Sequence, residues 1–310
     1  RFSVANPLLA QNVMDRFVYG MTVGTISART GIGKGTLFSE YARLSEILKP
    51  CTERLLELYR LAPVKGADET TWRCDGQNGY VYGFFTQDVA LFRFRGTRKM
   101  CVAEEVFGEG DHIGVLVRDR FPGYDNSFKG KQQYCFEHLK RDCKELLEKE
   151  PQNAEYQKFV PAFVSLLREA MQLRGRGLED GDYYEEAKRI KNEMLKMINA
   201  QAKDPERIFQ WAENRSVPAE NNMSERGVRR TVIARKVCGG SQSKDALMVR
   251  EVLQSVIESL RLRCADPVAK LTEALDAYAM DPGICIPDLL FPLPTHKAEL
   301  SRRRAGTRRV

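Results

Sequence analysis

The chain has 310 residues, 43% hydrophobic and 29% charged, with a formal net charge of +7. That is enough to bury a substantial core in two or three units, and ordinary for a globular protein. No apolar run approaches the ~20 residues of a membrane-spanning helix, and the opening RFSVANPLLA lacks the charged-then-apolar pattern of a secretion signal. Eight scattered cysteines without a Cys-x-x-Cys pair suggest neither a zinc ribbon nor a disulfide framework, and fit reduced thiols in a cytosolic protein.

Residues 1–66 read as a helical N-terminal region, with apolar positions at helical spacing in LLAQNVMDRFV and LSEILKPCTERLLELYRL. Between these stretches lies ARTGIGKGTLF, which resembles a phosphate-binding loop. It fails that pattern twice, because Ala28 stands where the first glycine belongs and Gly35 follows Lys34 in place of Ser or Thr. A helix-turn-helix fits better, with Ile26 and Ser27 in a first helix, Gly31 at the turn, and Thr36, Leu37 and Tyr41 in a second. Lys34 would then face DNA, and Glu40 occupies a position that is usually apolar. A plain helix–helix turn is the alternative.

From Ala67 the pattern changes to aromatic and β-branched residues broken by Asp75-Gly76, Asn78-Gly79 and Gln87-Asp88, which predicts three short antiparallel strands with Asp68 opening the first. RKMCVAEEVFGEG predicts a helix ended by glycine. HIGVLVRD predicts a buried strand closed by Asp119. Three strands, a helix and a fourth strand point to an α/β or α+β sheet. From Tyr134 to about Asn214 the spacing is helical and strand signals are absent, which reads as a helical insertion. A helix starting near Asn221 carries Glu225, ALMVREVLQSVIESLRLR predicts another, and the end is rich in proline.

Two basic clusters stand out. Arg226, Arg229, Arg230, Arg235 and Lys236 occur without an intervening acid, and SRRRAGTRRV holds five arginines. Such clusters suit a polyanion, since each neutralised phosphate releases counterions; a solvated basic face is the alternative. Asp68 and Asp119 on neighbouring strand ends, with Glu225 on a facing helix, would form a carboxylate cluster for hard divalent ions. Among 42 acids, spacing alone does not separate this triad from surface carboxylates.

The wording around the acids adds to this. Asp68-Glu69-Thr70, Asp119 to Tyr124, Cys135 to Arg141, and Asn221 to Arg226 occur in an order that resembles the insertion sequence sixty-six family of transposases. The resemblance covers roughly residues 5–275. It implies an α/β, ribonuclease-H-like mixed sheet flanked by helices, divided as a helical region (1–66), a first catalytic part (67–134), a helical insertion (135–217) and the remaining catalytic part with the glutamate helix (218–278); the basic end (279–310) goes beyond the resemblance and reads as a disordered tail. It further implies a DNA transposase with Asp68, Asp119 and Glu225 as catalytic residues holding two magnesium (or manganese) ions. The implied partners are transposon ends and target DNA, other copies of the chain, and accessory proteins of the element, with no membrane. The implied location is the bacterial cytoplasm, at the nucleoid when DNA is bound. Family members often carry an N-terminal zinc-binding segment and coiled coil, to which no stretch here corresponds.

Glu69 should point to the opposite face from Asp68 and play a structural part. Asp75, Asp125 and Glu220 reach the site only if local turns allow. Arg229, one helical turn after Glu225, suits a phosphate, the alternative being a salt bridge to that glutamate. Arg226, Arg230, Arg235 and Lys236 would continue the same track. Cys135 and His138 look like half a zinc site, but without a second pair at ligand spacing they are expected to pack or hydrogen-bond within their helix. His112 and His296 read as structural, and Trp72 and Trp211 as core. Two rival functions remain: a transposase relative that binds DNA without cutting it, and a different ribonuclease-H-like nuclease.

Overall fold

The computed structural model describes residues 2–99, 101–198 and 205–294; the arginine-rich end and His296 lie outside the described residues. The N-terminal region forms α1 (Asn6–Phe17), α2 (Val23–Thr30) and α3 (Lys34–Leu61). The Thr22 hydroxyl caps α2 by accepting from the Thr25 N–H at 3.0 Å. Gly31 ends that helix with φ 73°, a left-handed conformation that glycine adopts without steric cost. Ile26, Leu37 and Tyr41 are buried together with most of the apolar positions of α1. Glu40 is buried too. Its carboxylate accepts from the N–H and hydroxyl of Ser3, at 2.9 and 2.5 Å, so hydrogen bonds replace the apolar contact this position would usually make.

Five strands follow: β1 (Val64–Cys74), β2 (Gln77–Phe85), β3 (Ala90–Arg95), β4 (Val115–Arg118) and β5 (Lys131–Tyr134), with α4 (Cys101–Phe107) before β4. They form one mixed sheet in the order β3-β2-β1-β4-β5. β2 and β3 pair antiparallel, while β4 pairs parallel with both β1 and β5. Such a mixed sheet with flanking helices is compatible with a ribonuclease-H-like architecture.

Two elements differ from the sequence expectation. β1 starts at Val64, so Asp68 lies inside the strand and does not open it. Val64, Lys65 and Gly66 pair with Val115, Leu116 and Val117, and Lys65 is buried. Its ammonium lies 5.8 Å from the centre of the Phe128 ring, and burial lowers its pKa to about 8. A lysine in a buried strand hides the apolar run that would announce it. β5 was not predicted either, because Lys-Gln-Gln-Tyr has no apolar alternation. Its glutamines are buried and satisfied by hydrogen bonds: Gln132 accepts from Arg118 Nε and donates to the Phe128 carbonyl, while Gln133 accepts from the Trp211 N–H.

The chain divides into two compact units. One comprises Arg1–Pro63, Glu69–Val102 and Arg226–Val310. It includes α10 (Lys244–Arg263), α11 (Pro267–Met280) and α12 (Ile286–Leu290). β3 stands at an end of the sheet order, where backbone N–H groups lack a strand partner. α10 supplies one: Glu251, Ser255 and Ser259 accept from the N–H groups of Phe94, Phe92 and Ala90 at 2.8–2.9 Å. Four helical residues rise about 6 Å and two strand residues about 6.6 Å, so side chains four apart match N–H groups two apart. Trp72 is buried in this unit, its indole N–H donating to Ser241 Oγ and its ring lying under the Arg250 guanidinium. Although the sequence suggested a disordered tail from residue 279, Ile286, Leu290 and Phe291 are buried, and Arg54 donates to the Phe291 carbonyl.

The other unit comprises Val64–Asp68 and Ala103–Glu225. Most of it is helical: α5 (Phe136–Lys149), α6 (Ala154–Leu173), α7 (Asp180–Ile198) and α8 (Gln210–Glu213), leading into α9 (Asn222–Cys238). Their apolar faces enclose a core of Phe136, Phe163, Leu167, Leu173, Ile190 and Trp211. His112 stacks on Phe128 and accepts from the Lys129 N–H at 2.9 Å, a structural part.

Replacing Ser255 with valine leaves the Phe92 N–H without an acceptor inside the protein, a cost of about 1–3 kcal/mol. The unfolding free energy of Ser255→Val should fall by that amount, read as a lower urea midpoint at unchanged slope.

Candidate functional site

Parallel pairing of β1 with β4 sets up the acidic pair. Its register joins Val64 to Val115 and Gly66 to Val117; continued two residues further, it sets Asp68 against Asp119. Their carboxylate oxygens come within 4.8 Å of each other. Both residues are half-buried. Asp119 Oδ1 accepts from the Phe121 N–H at 2.9 Å, which fixes the carboxylate at the mouth of its loop.

That loop is built on Arg118, whose side chain is fully buried. Its guanidinium donates to the carbonyls of Asp119 and Phe121 at 3.0 and 3.1 Å, pairs with Asp125, and lies 4.9 Å from the Tyr134 ring centre. Arg207 pairs with Asp125 as well, at 2.5 Å, and bonds to the Tyr134 hydroxyl. Asp125, considered from sequence as a further ligand, is therefore held by two arginines. Sequence reasoning missed Arg118; its one signal was a charge inside an otherwise apolar strand, next to an acid. Asp75 occupies the turn after β1 with φ 50°.

Glu69 bonds to Arg98 at 2.5 Å, which suits a structural part. Its carboxylate nevertheless lies within 4.8 Å of that of Asp68. Strand alternation would have separated them.

Glu225 arrives on the first turn of α9. The preceding Asn221 docks this helix start against β1, its side-chain amide donating to the Ala67 carbonyl at 2.8 Å. A close approach at Gly66 makes this possible: a Cβ there would run into Ser224 Oγ and come within 2.9 Å of Asn221 Oδ1.

Glu225 is not grouped with Asp68 and Asp119. Its carboxylate is grouped with Cys135 and His138, the three ligand atoms lying within 4.8 Å of one another. The Cys135 thiol donates to Glu225 Oε1 at 3.8 Å, and His138 Nδ1 lies 3.6 Å from the same oxygen. Cys135 also accepts from the Asn221 N–H at 3.2 Å. Both residues thus reach across to α9, where the sequence had them packing or bonding within their own helix. A partner 90 positions away along the chain cannot be read from local spacing.

Past Glu225, α9 carries the basic residues. Arg226, Arg229 and Lys236 are exposed. Arg230 pairs with the buried Glu258 at 2.8 Å, and Arg235 donates to the Thr71 carbonyl at 2.5 Å. Lys34, at the start of α3, is exposed.

Alanine at Gly66 forces the start of α9 away from β1. Strain of this kind costs about 1–3 kcal/mol, so Gly66→Ala should lower the denaturant midpoint accordingly.

A family model described as Transposase IS66 family matches residues 4–248. No curated protein matches the chain.

Proposed function

We propose that this chain, which belongs to the Transposase IS66 family, cuts DNA strands at transposon ends and joins them to target DNA in a metal-dependent reaction. The observation that carries this reading is the pairing of Asp68 with Asp119 by the β1–β4 register. Two carboxylates within 4.8 Å of each other fit a hard divalent cation, which takes oxygen ligands. Magnesium or manganese bound there, with Asp68, Asp119 and Glu225 as the ligand set, supplies activation of water and stabilisation of the leaving oxygen in phosphodiester displacement.

The protein's own residues do the positioning. The Phe121 N–H and the Arg118 guanidinium hold the Asp119 loop in one arrangement, so that little ordering is left for substrate binding. Glu225 completes the set only after its side chain leaves Cys135 and His138. Arg226, Arg229 and Lys236, exposed along α9, contact DNA phosphates next to the scissile bond. Arg230 and Arg235 already have protein acceptors and contribute less. Lys34 and the α2–α3 pair, whose Ile26 and Leu37 are buried, form a second DNA-contacting element. Cleavage frees a 3′-hydroxyl, and that hydroxyl attacks a target phosphodiester. Both reactions take place in an assembly of several copies on DNA.

The turn of Glu225 towards Cys135 and His138 favours a second reading, a DNA-binding relative that does not cut. Cleavage assays on the inverted repeats flanking the gene, with magnesium or manganese, separate the two.

Asp119→Asn should abolish metal-dependent strand cleavage and leave DNA affinity within about twofold, a window well below the tenfold that corresponds to 1.4 kcal/mol. Full activity in that variant would remove the assignment. Arg229→Ala should weaken DNA binding and reduce the slope of log K against log salt by about 1, as measured by fluorescence anisotropy over a salt series.

A further inference from the structure

We propose that Cys135, His138 and Glu225 form a second metal site, one that selects a zinc-class ion over magnesium. The three donors are a sulfur, an imidazole nitrogen and a carboxylate oxygen. Thiolate and imidazole suit zinc and disfavour magnesium, whose sites are built from oxygen.

The spacing agrees with a tetrahedral ion. Zinc binds sulfur at about 2.3 Å and nitrogen or oxygen at about 2.0–2.1 Å. At tetrahedral angles those bonds place sulfur about 3.6 Å, and nitrogen about 3.3 Å, from the oxygen. The observed separations from Glu225 Oε1 are 3.8 Å to Cys135 Sγ and 3.6 Å to His138 Nδ1, each within a few tenths of an ångström of the tetrahedral value, and all three ligand atoms lie within 4.8 Å of one another. Three protein ligands leave a fourth position for water.

The His138 contact also accommodates a cation. His138 Nδ1 is buried with no hydrogen-bond partner, and it faces a carboxylate oxygen at a distance too long for a hydrogen bond. With the ring proton on Nε2, Nδ1 and the carboxylate oxygen are both acceptors, and a metal ion between them relieves their repulsion. The sulfur is prepared as well, since the Asn221 N–H points at it and such a donor stabilises a thiolate. Without metal, the thiol proton bonds to Glu225. Ion binding breaks the S–H bond, forms the sulfur–metal bond and releases the proton to solvent. The dication is then balanced by one thiolate and one carboxylate.

Glu225 is the shared element. A zinc-class ion holds it with Cys135 and His138, away from Asp68 and Asp119, so zinc should inhibit the magnesium reaction. That consequence rests on the proposed function; the site itself does not.

Cobalt(II) titration of the full chain, freed of metal by a chelator that is then removed, tests the site directly. One cobalt per chain should give a near-ultraviolet thiolate-to-cobalt band together with visible tetrahedral bands, and millimolar magnesium should not displace it. Cys135→Ser should lose the thiolate band, and His138→Gln and Glu225→Gln should each weaken binding at least about tenfold, the lower end of what even an outer-shell partner contributes. Circular dichroism of each variant checks folding, and if Cys135→Ser does not fold, the other two variants decide. Absence of a thiolate band in the native chain overturns the proposal. So does a band that persists in Cys135→Ser, or unchanged affinity in both His138→Gln and Glu225→Gln. Asp119→Asn should keep the cobalt spectrum while losing cleavage, so failure of the nuclease reading and failure of the metal site give different results.

Discussion

The parallel pairing of β1 with β4 is the constraint on which the candidate site depends. Hydrogen bonding fixes the register of the two strands, and register fixes which side chains stand side by side. With Gly66 opposite Val117, Asp68 and Asp119 become neighbours whatever their distance along the chain. A slip of one residue would send one carboxylate to the other face. The buried, apolar surroundings of Leu116 and Val117 make such a slip costly, since it would expose these side chains and bury polar ones.

Cys135 ties the remaining parts to that pair. Its N–H donates to the Arg118 carbonyl at 2.8 Å, beside Asp119. Its sulfur accepts from the Asn221 N–H and faces Glu225. Asn221 in turn reaches the Ala67 carbonyl, beside Asp68. One buried residue and its helix-starting partner thereby connect the segments that bear Asp68, Asp119 and Glu225. Around them, Arg118 and Arg207 converge on Asp125. The buried Arg118 charge holds the loop in place only while it keeps its partner, and these contacts fix the Asp119 loop around its single 3-10 turn, Pro122–Tyr124.

Legibility varied with the physical basis of each signal. Helices α1, α3, α6, α7 and α10 were visible because a buried helical face repeats at a local period. β2, β3 and β4 were visible as aromatic or aliphatic runs between turns. The start of β1 and all of β5 were not, because Lys65, Gln132 and Gln133 are buried polar residues whose partners come from elsewhere in the fold. The edge protection of β3 by Glu251, Ser255 and Ser259 was equally hidden, since a serine on a helix shows no sign of the strand it will meet. The anomaly at Glu40 was visible as an anomaly, but its resolution by Ser3 was not.

By itself, the sequence determined the kinds of element, the order of the four blocks around Asp68, Asp119, Cys135 and Glu225, and a basic helix following the last acid. Periodicity and motif order are local properties, carried by residues near one another in the chain. Tertiary structure alone decided that Asp68 and Asp119 meet, and that Glu225 lies with Cys135 and His138 apart from that pair. Such meetings are set by strand register and helix docking, and these depend on how distant segments bury their surfaces together.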